Sequence, residues 1–198
     1  VASGRGVVAV LGGIKYSSRQ RVVEYTPVVA AGARILETDS PALAALDAPV
    51  DMIATEKGVY VISSSAAVPD ALIYLTRDSN TGALTFSSVA SSNTGIPQID
   101  APTDILLATI DNKENIFIAA SGSNTLIQFE QTEPSAAPSL KKIYGKLGDN
   151  GQPDVSGLAG VSRLVMNSQQ TILHAASTTD SVITSFYVDD GLLVKSPD

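Results

Sequence analysis

Hydrophobic residues in this chain occur in short runs that return in the same order. Turn residues, chiefly Ser, Gly, Asn and Asp, separate each run from the next. When the runs that start near Val7, Val59, Ile116 and Ile172 are taken as equivalent, the order returns about every 55 residues. Recurrence at a nearly constant spacing is typical of a repeat protein, whose units bury apolar surface against their neighbours. The pattern therefore predicts four repeats.

The runs have the composition of β-strands, because β-branched and aromatic side chains fit a pleated, half-buried surface. Runs of the first kind are Gly6–Val10, Gly58–Ile62, Ile116–Ala120 and Ile172–Ala176. Runs of the second kind are Val22–Tyr25, Leu72–Leu75, Leu126–Phe129 and Ile183–Phe186. Runs of the third kind open with Gly or Pro and are Gly32–Ile35, Gly82–Leu84, Pro138–Leu140 and Gly191–Leu193. A further run precedes three of the repeats, at Pro49–Ile53, Pro102–Leu106 and Val161–Val165.

Four short strands per repeat match the unit of a β-propeller. The sequence therefore predicts an all-β propeller of four-stranded antiparallel blades, with a β-sandwich as the alternative. We expect the blades at residues 1–47, 48–100, 101–157 and 158–198, the first lacking most of its innermost strand. Because proteins normally cover unpaired strand edges, the four repeats are expected to belong to a larger ring or to be completed by a second chain. Pro41–Asp47 is expected to be a linker with a single helical turn.

Composition narrows the class of protein. Of the 198 residues, 44% are hydrophobic and 17% are charged, which is sufficient for a packed core. No run reaches the roughly 18 consecutive apolar residues that a membrane-spanning helix needs, so no membrane span is expected. The lack of cysteine excludes disulfides, thiol nucleophiles and cysteine-bound metals.

The charge balance bears on partners and location. The 20 acidic residues outnumber the 13 basic ones, which argues against nucleic acid as a partner, since binding to phosphates depends on clustered Lys and Arg. A low content of charged residues with many Ser, Thr, Ala, Gly and Asn is typical of secreted bacterial β-proteins. We therefore expect an extracellular or cell-surface location.

Three segments carry a resemblance to a known family. Arg77–Thr85 contains an Asp-x-x-Thr-Gly-x-Leu hairpin, and Ala119–Phe129 joins a Ser/Gly/Asn turn to a strand that ends in Phe. With Gly157–Val161 as a link between blades, these segments resemble the lactonase-type (6-phosphogluconolactonase-like) propeller family. The resemblance implies the propeller fold. It is compatible both with sugar-lactone hydrolases and with non-catalytic repeat arrays of large bacterial secreted or surface proteins.

His174 is the only histidine and the first candidate for chemistry. As a functional residue it would be a general base, because imidazole titrates near neutral pH. As a structural residue it would occupy the strand position held by Ile118 and Val61 in other repeats. No acid lies in the same run, so the structural interpretation is favoured.

Three polar segments are weaker candidates. Asp149–Asp154 offers oxygen ligands for calcium but lacks the spacing of an EF-hand loop, so a solvated turn is favoured. The same interpretation applies to Asp111–Asn115, where the hairpin between the first two strands of a blade is expected. Lys15, Arg19 and Arg21 form a small basic group that could meet an anionic glycan or lipid headgroup, although a solvated loop is favoured.

The sequence thus assigns no catalytic, cofactor-binding or metal-binding residue and implies no cofactor. The expected function is that of a non-catalytic propeller module of a secreted or cell-surface bacterial protein, serving binding, adhesion or structural assembly through a protein or glycan ligand. The alternative is a lactone hydrolase of the 6-phosphogluconolactonase-like type.

Overall fold

The computed structural model describes residues 41–133, 136–147 and 154–197, which form twelve β-strands and two short 3₁₀ segments, Pro41–Leu46 and Ser92–Thr94. Sheet 1 consists of β1 (Pro49–Ala54), β2 (Gly58–Ser63), β3 (Ala71–Arg77) and β4 (Leu84–Ser91). Sheet 2 consists of β5 (Pro102–Ile110), β6 (Lys113–Ala120), β7 (Thr125–Gln131) and β8 (Ser139–Tyr144). Sheet 3 consists of β9 (Val161–Met166), β10 (Ile172–Ser177), β11 (Val182–Asp189) and β12 (Leu192–Lys195).

The described part of the chain is all-β apart from the two short 3₁₀ segments, as the run pattern predicts. Within each sheet, strands that follow one another in sequence are antiparallel neighbours, so each sheet is a four-stranded meander. The predicted helical turn is confirmed as the 3₁₀ segment Pro41–Leu46. The runs predicted between Gly6 and Ile35 lie outside the described residues.

The three sheets share a register irregularity between their first two strands. In sheet 1 it separates the pairs Pro49–Ser63 and Asp51–Ile62. In sheet 2 the irregularity lies between the pairs Pro102–Ala120 and Asp104–Ala119. In sheet 3 it lies between the pairs Val161–Ser177 and Arg163–Ala176. Ser63, Ala120 and Ser177 are therefore structurally equivalent.

This equivalence corrects one prediction from the sequence. Since Ala120 matches Ser177, Ile116 corresponds to Leu173 and not to Ile172. The sequence match fails because Ala119–Ser121 and Ala175–Ser177 both read Ala-Ala-Ser, although the strands are offset by one residue. Side chains alternate between the faces of a strand, so a one-residue error assigns every side chain of β10 to the wrong face.

The sheets are stacked in sequence order, and apolar side chains fill both interfaces. Between sheets 1 and 2 the buried cluster comprises Tyr60, Ile62, Leu72, Tyr74, Ile96, Ile99, Ile105, Ile116, Ile118, Ala120, Ile127 and Phe129. Between sheets 2 and 3 it comprises Ala108, Ile110, Phe117, Ala119, Leu126, Tyr144, Leu158, Val161, Leu164, Leu173, Ala175, Phe186 and Leu193. Burying each large side chain contributes about 1.5–3 kcal/mol, so these interfaces dominate the stability.

Each sheet has two faces that we name for use below. The forward face carries Tyr60 in sheet 1, Phe117 in sheet 2 and His174 in sheet 3. The rear face is the opposite one. The forward faces of sheets 1 and 2 pack on the rear face of the next sheet.

The first strands bring the sheets together, because β1 contacts β5 and β5 contacts β9. On the rear face of sheet 1, Val59, Val61 and Ile73 are buried, with Ala45 and Leu46 packed against them. A search of residues 41–133, 136–147 and 154–197 finds no helix long and apolar enough to cross a membrane.

Candidate functional site

His174 lies in the middle of the forward face of sheet 3 and is partly exposed. Its Nδ1 lies 2.8 Å from the hydroxyl oxygen of Ser185 on the neighbouring strand β11. The prediction that it occupies the position of Ile118 and Val61 is wrong, because the corrected register aligns it with Phe117 and Tyr60. A hydroxyl at the ring nitrogen orients the imidazole but supplies no acid partner for base catalysis.

The polar loops have structural roles where the structure describes them. Asp111 and Asn112, with φ of 51° and 60°, form the left-handed turn between β5 and β6, which is the predicted hairpin. Residues 148–153 lie outside the described part of the chain, and Asp154 accepts a hydrogen bond from the Gly145 amide at 2.6 Å. Lys15, Arg19 and Arg21 also lie outside it. Within the described ranges, no three His, Asp or Glu residues are placed to hold a metal ion.

A different set of polar residues meets on the first strands. Asp51, Asp104 and Arg163 each follow the shared register irregularity, on β1, β5 and β9 respectively. Because the first strands of successive sheets are in contact, the irregularity places these three side chains in one line across the stack. We call this set the charged row.

The two carboxyl groups of the charged row are coupled. Asp104 Oδ2 accepts the Leu164 backbone N–H of the next sheet at 2.6 Å, and the Asp104 carboxyl is also within hydrogen-bonding reach of Asp51. Burial raises the pKa of Asp104, and the neighbouring carboxyl of Asp51 raises this pKa further, against the opposing effects of the Leu164 amide and Arg163. The two carboxyl groups therefore interact directly where β1 contacts β5.

Arg163 completes the row with an exposed cation. Its Nη1 donates to the carbonyl oxygens of Ser162 at 2.8 Å and Thr103 at 3.2 Å, so the side chain leans back towards sheet 2. A guanidinium has five N–H donors in a planar fork that matches a carboxylate or phosphate. The row therefore combines a protonatable carboxyl pair, which can donate or accept hydrogen bonds, with a fixed cation.

The sequence contains a partial signal for this row. Pro49–Asp51 and Pro102–Asp104 both read Pro-x-Asp at the start of a predicted strand, and Val161–Arg163 carries its charge at the same place. Strand prediction uses the apolar residues of these runs and ignores the third position. The meeting of the three charges depends on contacts between sheets, which the run pattern does not supply.

Comparison with known proteins identifies neither a family nor an activity. No family model matches the chain, and no curated protein matches it. Among solved structures, a Bacteroides fragilis protein with the provisional name 6-phosphogluconolactonase aligns with a TM-score of 0.38 at 13% sequence identity. The alignment covers 75% of this chain and 56% of that protein, so the chain spans about half the length of this neighbour. At this TM-score the similarity carries no argument about fold or activity.

Proposed function

We propose that the three sheets are successive blades of a β-propeller-type repeat array. The support is the order of the contacts: first strands meet first strands, and the forward face of one sheet packs on the rear face of the next. In a propeller the innermost strands line a common axis. The charged row would then line that axis.

We further propose that the chain is a non-catalytic binding module and that an acidic sugar, as found in anionic glycans, binds at the charged row. The observation that carries this proposal is the meeting of Asp51, Asp104 and Arg163 on three adjacent first strands. A sugar acid offers a carboxylate for the guanidinium, and its hydroxyl groups can donate to and accept from the carboxyl pair. The secreted-type composition supports an extracellular setting.

D-Gluconate is a suitable probe, because it combines a carboxylate with a chain of hydroxyl groups. We expect calorimetric titration to give a Kd of about 1 mM or tighter, weakened at least about tenfold by Arg163→Gln. Lys146→Gln is the matched control, since it removes one exposed positive charge away from the row. Binding that is absent from the unmodified chain, or equal in Arg163→Gln and the unmodified chain, would contradict the proposal.

Lactone hydrolysis is the second candidate, and the carboxyl pair is the observation that favours it. Asp104, whose pKa is raised by burial, could in its protonated form donate a proton to the leaving oxygen while Asp51 accepts one from the attacking water. Glucono-δ-lactone distinguishes the two functions. Opening of this lactone well above the buffer rate, with loss in Asp104→Asn, would favour the hydrolase. Gluconate binding without turnover would favour the binding module.

A further inference from the structure

We infer that the forward face of sheet 3 is a self-association surface, on which a second copy of this chain packs with its own forward face of sheet 3. The inference does not depend on ligand binding at the charged row. Large apolar side chains are exposed on this face of sheet 3. The rear face of sheet 1 is already buried, so a second copy would bind through its own sheet 3.

The forward face of sheet 3 exposes a group of large apolar side chains. Ile183 is 70% exposed, Val165 58%, Tyr187 43% and Ile172 38%. Strand pairing places all four on the same side of the sheet, around His174. At the position of His174, the forward faces of sheets 1 and 2 carry Tyr60 and Phe117, both fully buried by the following sheet.

Sheet 3 also lacks the polar groups by which sheets 1 and 2 hold their successors. The residue before the third strand is Asp70 in sheet 1, and its Oδ2 accepts the Ala101 amide at 2.6 Å. In sheet 2 it is Asn124, whose Oδ1 accepts the Gly160 amide at 2.8 Å. Strand pairing makes Ser181 the equivalent in sheet 3, and its hydroxyl donates to Thr178 within its own turn.

Sheet 3 also lacks the hydrogen-bond acceptor that sheet 2 has in the charged row. Asp104 of sheet 2 accepts a backbone N–H from sheet 3, whereas the equivalent residue of sheet 3 is Arg163, which cannot accept a hydrogen bond. Two inter-sheet acceptor positions are therefore altered on this face, whose large apolar side chains are exposed in the described part of the chain. A further repeat of the same type would find neither the longer Asp or Asn side-chain oxygen nor the carboxylate that sheets 1 and 2 present at these positions, so the observations favour a partner of a different kind.

A second copy would meet this face with the same face of its own sheet 3. The rear face of sheet 1 is not available to it, because Val59, Val61 and Ile73 are at most 3% exposed and already packed. In the described residues, the forward face of sheet 3 is the apolar sheet face that a second copy can offer. The same face on both partners makes a closed two-fold dimer, with the sheets stacked roughly 10 Å apart as in a β-sandwich.

The size of the face sets the expected affinity. Four strands spaced about 4.8 Å apart and about six residues long give a footprint of roughly 20 by 20 Å, or about 400 Å². Stable interfaces bury about 800 Å² per partner, so the dimer should be weak, with a Kd in the range of about 1–100 μM.

Sedimentation velocity on the full chain between about 1 and 300 μM tests the inference. We expect a monomer at the lowest concentration and a dimer at the highest. Ile183→Lys should shift the midpoint at least about tenfold to higher concentration and leave the melting temperature unchanged, since the side chain is exposed. Leu147→Lys, which replaces a side chain that is 66% exposed elsewhere, should associate like the unmodified chain.

Crosslinking provides a second measurement that does not depend on affinity alone. Because the chain has no cysteine, Ile183→Cys introduces a single thiol on the face, and a short bis-maleimide should join two chains through it. Leu147→Cys should give at most a trace of this product. A chain that stays monomeric up to 300 μM (about three times the weakest expected Kd), association unaffected by Ile183→Lys, or growth into oligomers larger than a dimer would each overturn the inference.

Discussion

Removing the hydroxyl of Tyr144 tests how sheets 2 and 3 are held together. Tyr144 donates to Gln128 Oε1 at 2.7 Å and accepts the Leu193 backbone N–H at 2.8 Å. Gln128 Nε2 in turn donates to Asn115 Oδ1 and to the Gly191 carbonyl, both at 2.8 Å. Burial raises the pKa of Tyr144 to about 12, so the hydroxyl remains protonated at ordinary pH. The network is buried between the two sheets.

The expected cost of Tyr144→Phe follows from what it leaves behind. A buried polar group without a partner costs about 1–3 kcal/mol, and this substitution leaves two, the amide of Leu193 and the side-chain carbonyl of Gln128. We therefore expect a loss of about 3 kcal/mol in the free energy of unfolding. For a chain of this size, that loss lowers the melting temperature by roughly 6–12 °C.

Urea denaturation followed by circular dichroism measures this cost, with thermal melts as a second estimate. Tyr187→Phe is the matched control, because it removes the hydroxyl of a tyrosine that is 43% exposed and should cost less than about 0.5 kcal/mol. If Tyr144→Phe and Tyr187→Phe proved equally mild, the network would not contribute to the packing of the sheets, and the reasoning would be refuted.

Three further predictions concern stability and use urea midpoints. Gly58→Ala should destabilise by more than about 2 kcal/mol, because an added Cβ would clash with the Leu75 carbonyl oxygen; a cost below about 1 kcal/mol would contradict this. Asn124→Gly keeps the positive φ but loses the bond to the Gly160 amide, so it should cost about 1 kcal/mol, and no cost would contradict it. The raised pKa of Asp104 means that the folded chain binds a proton that the unfolded chain has released, so this contribution to stability is present at low pH and declines as the pH rises above about 4. Asp104→Asn should flatten that decline, and midpoints at several pH values check it.

The strand order could be predicted from the sequence because it depends on local patterns. Each sheet begins with a run that starts at Pro49, Pro102 or Val161, and its remaining strands follow in the predicted order. The continuous apolar run of β6, in which Ile116, Phe117 and Ile118 are all buried, is typical of a strand covered on both faces, whereas the composition of the runs predicted half-buried strands.

The register and the charged row could not be predicted in the same way. Matching the two Ala-Ala-Ser tripeptides shifts β10 by one residue relative to β6, and this places His174 on the wrong face of its strand. The offset is revealed only by the register irregularity before Arg163. The pairing of Asp51 with Asp104 depends on contact between strands of different sheets. A single sequence gives the spacing of the repeats but not which surfaces of successive repeats meet.

The alternation along β6 has a consequence for how the molecule opens. Ile116 and Ile118 pack towards sheet 1, and Phe117 and Ala119 pack towards sheet 3, so β6 cannot be exposed unless both neighbouring sheets separate from it. In a linear stack, a terminal unit can detach at the cost of one interface, whereas a central unit must break two. Amide hydrogens of β6 should therefore exchange with solvent only through global unfolding, while those of sheet 3 exchange through a less costly partial opening. Sheet 2 is therefore expected to be the best protected of the three described sheets.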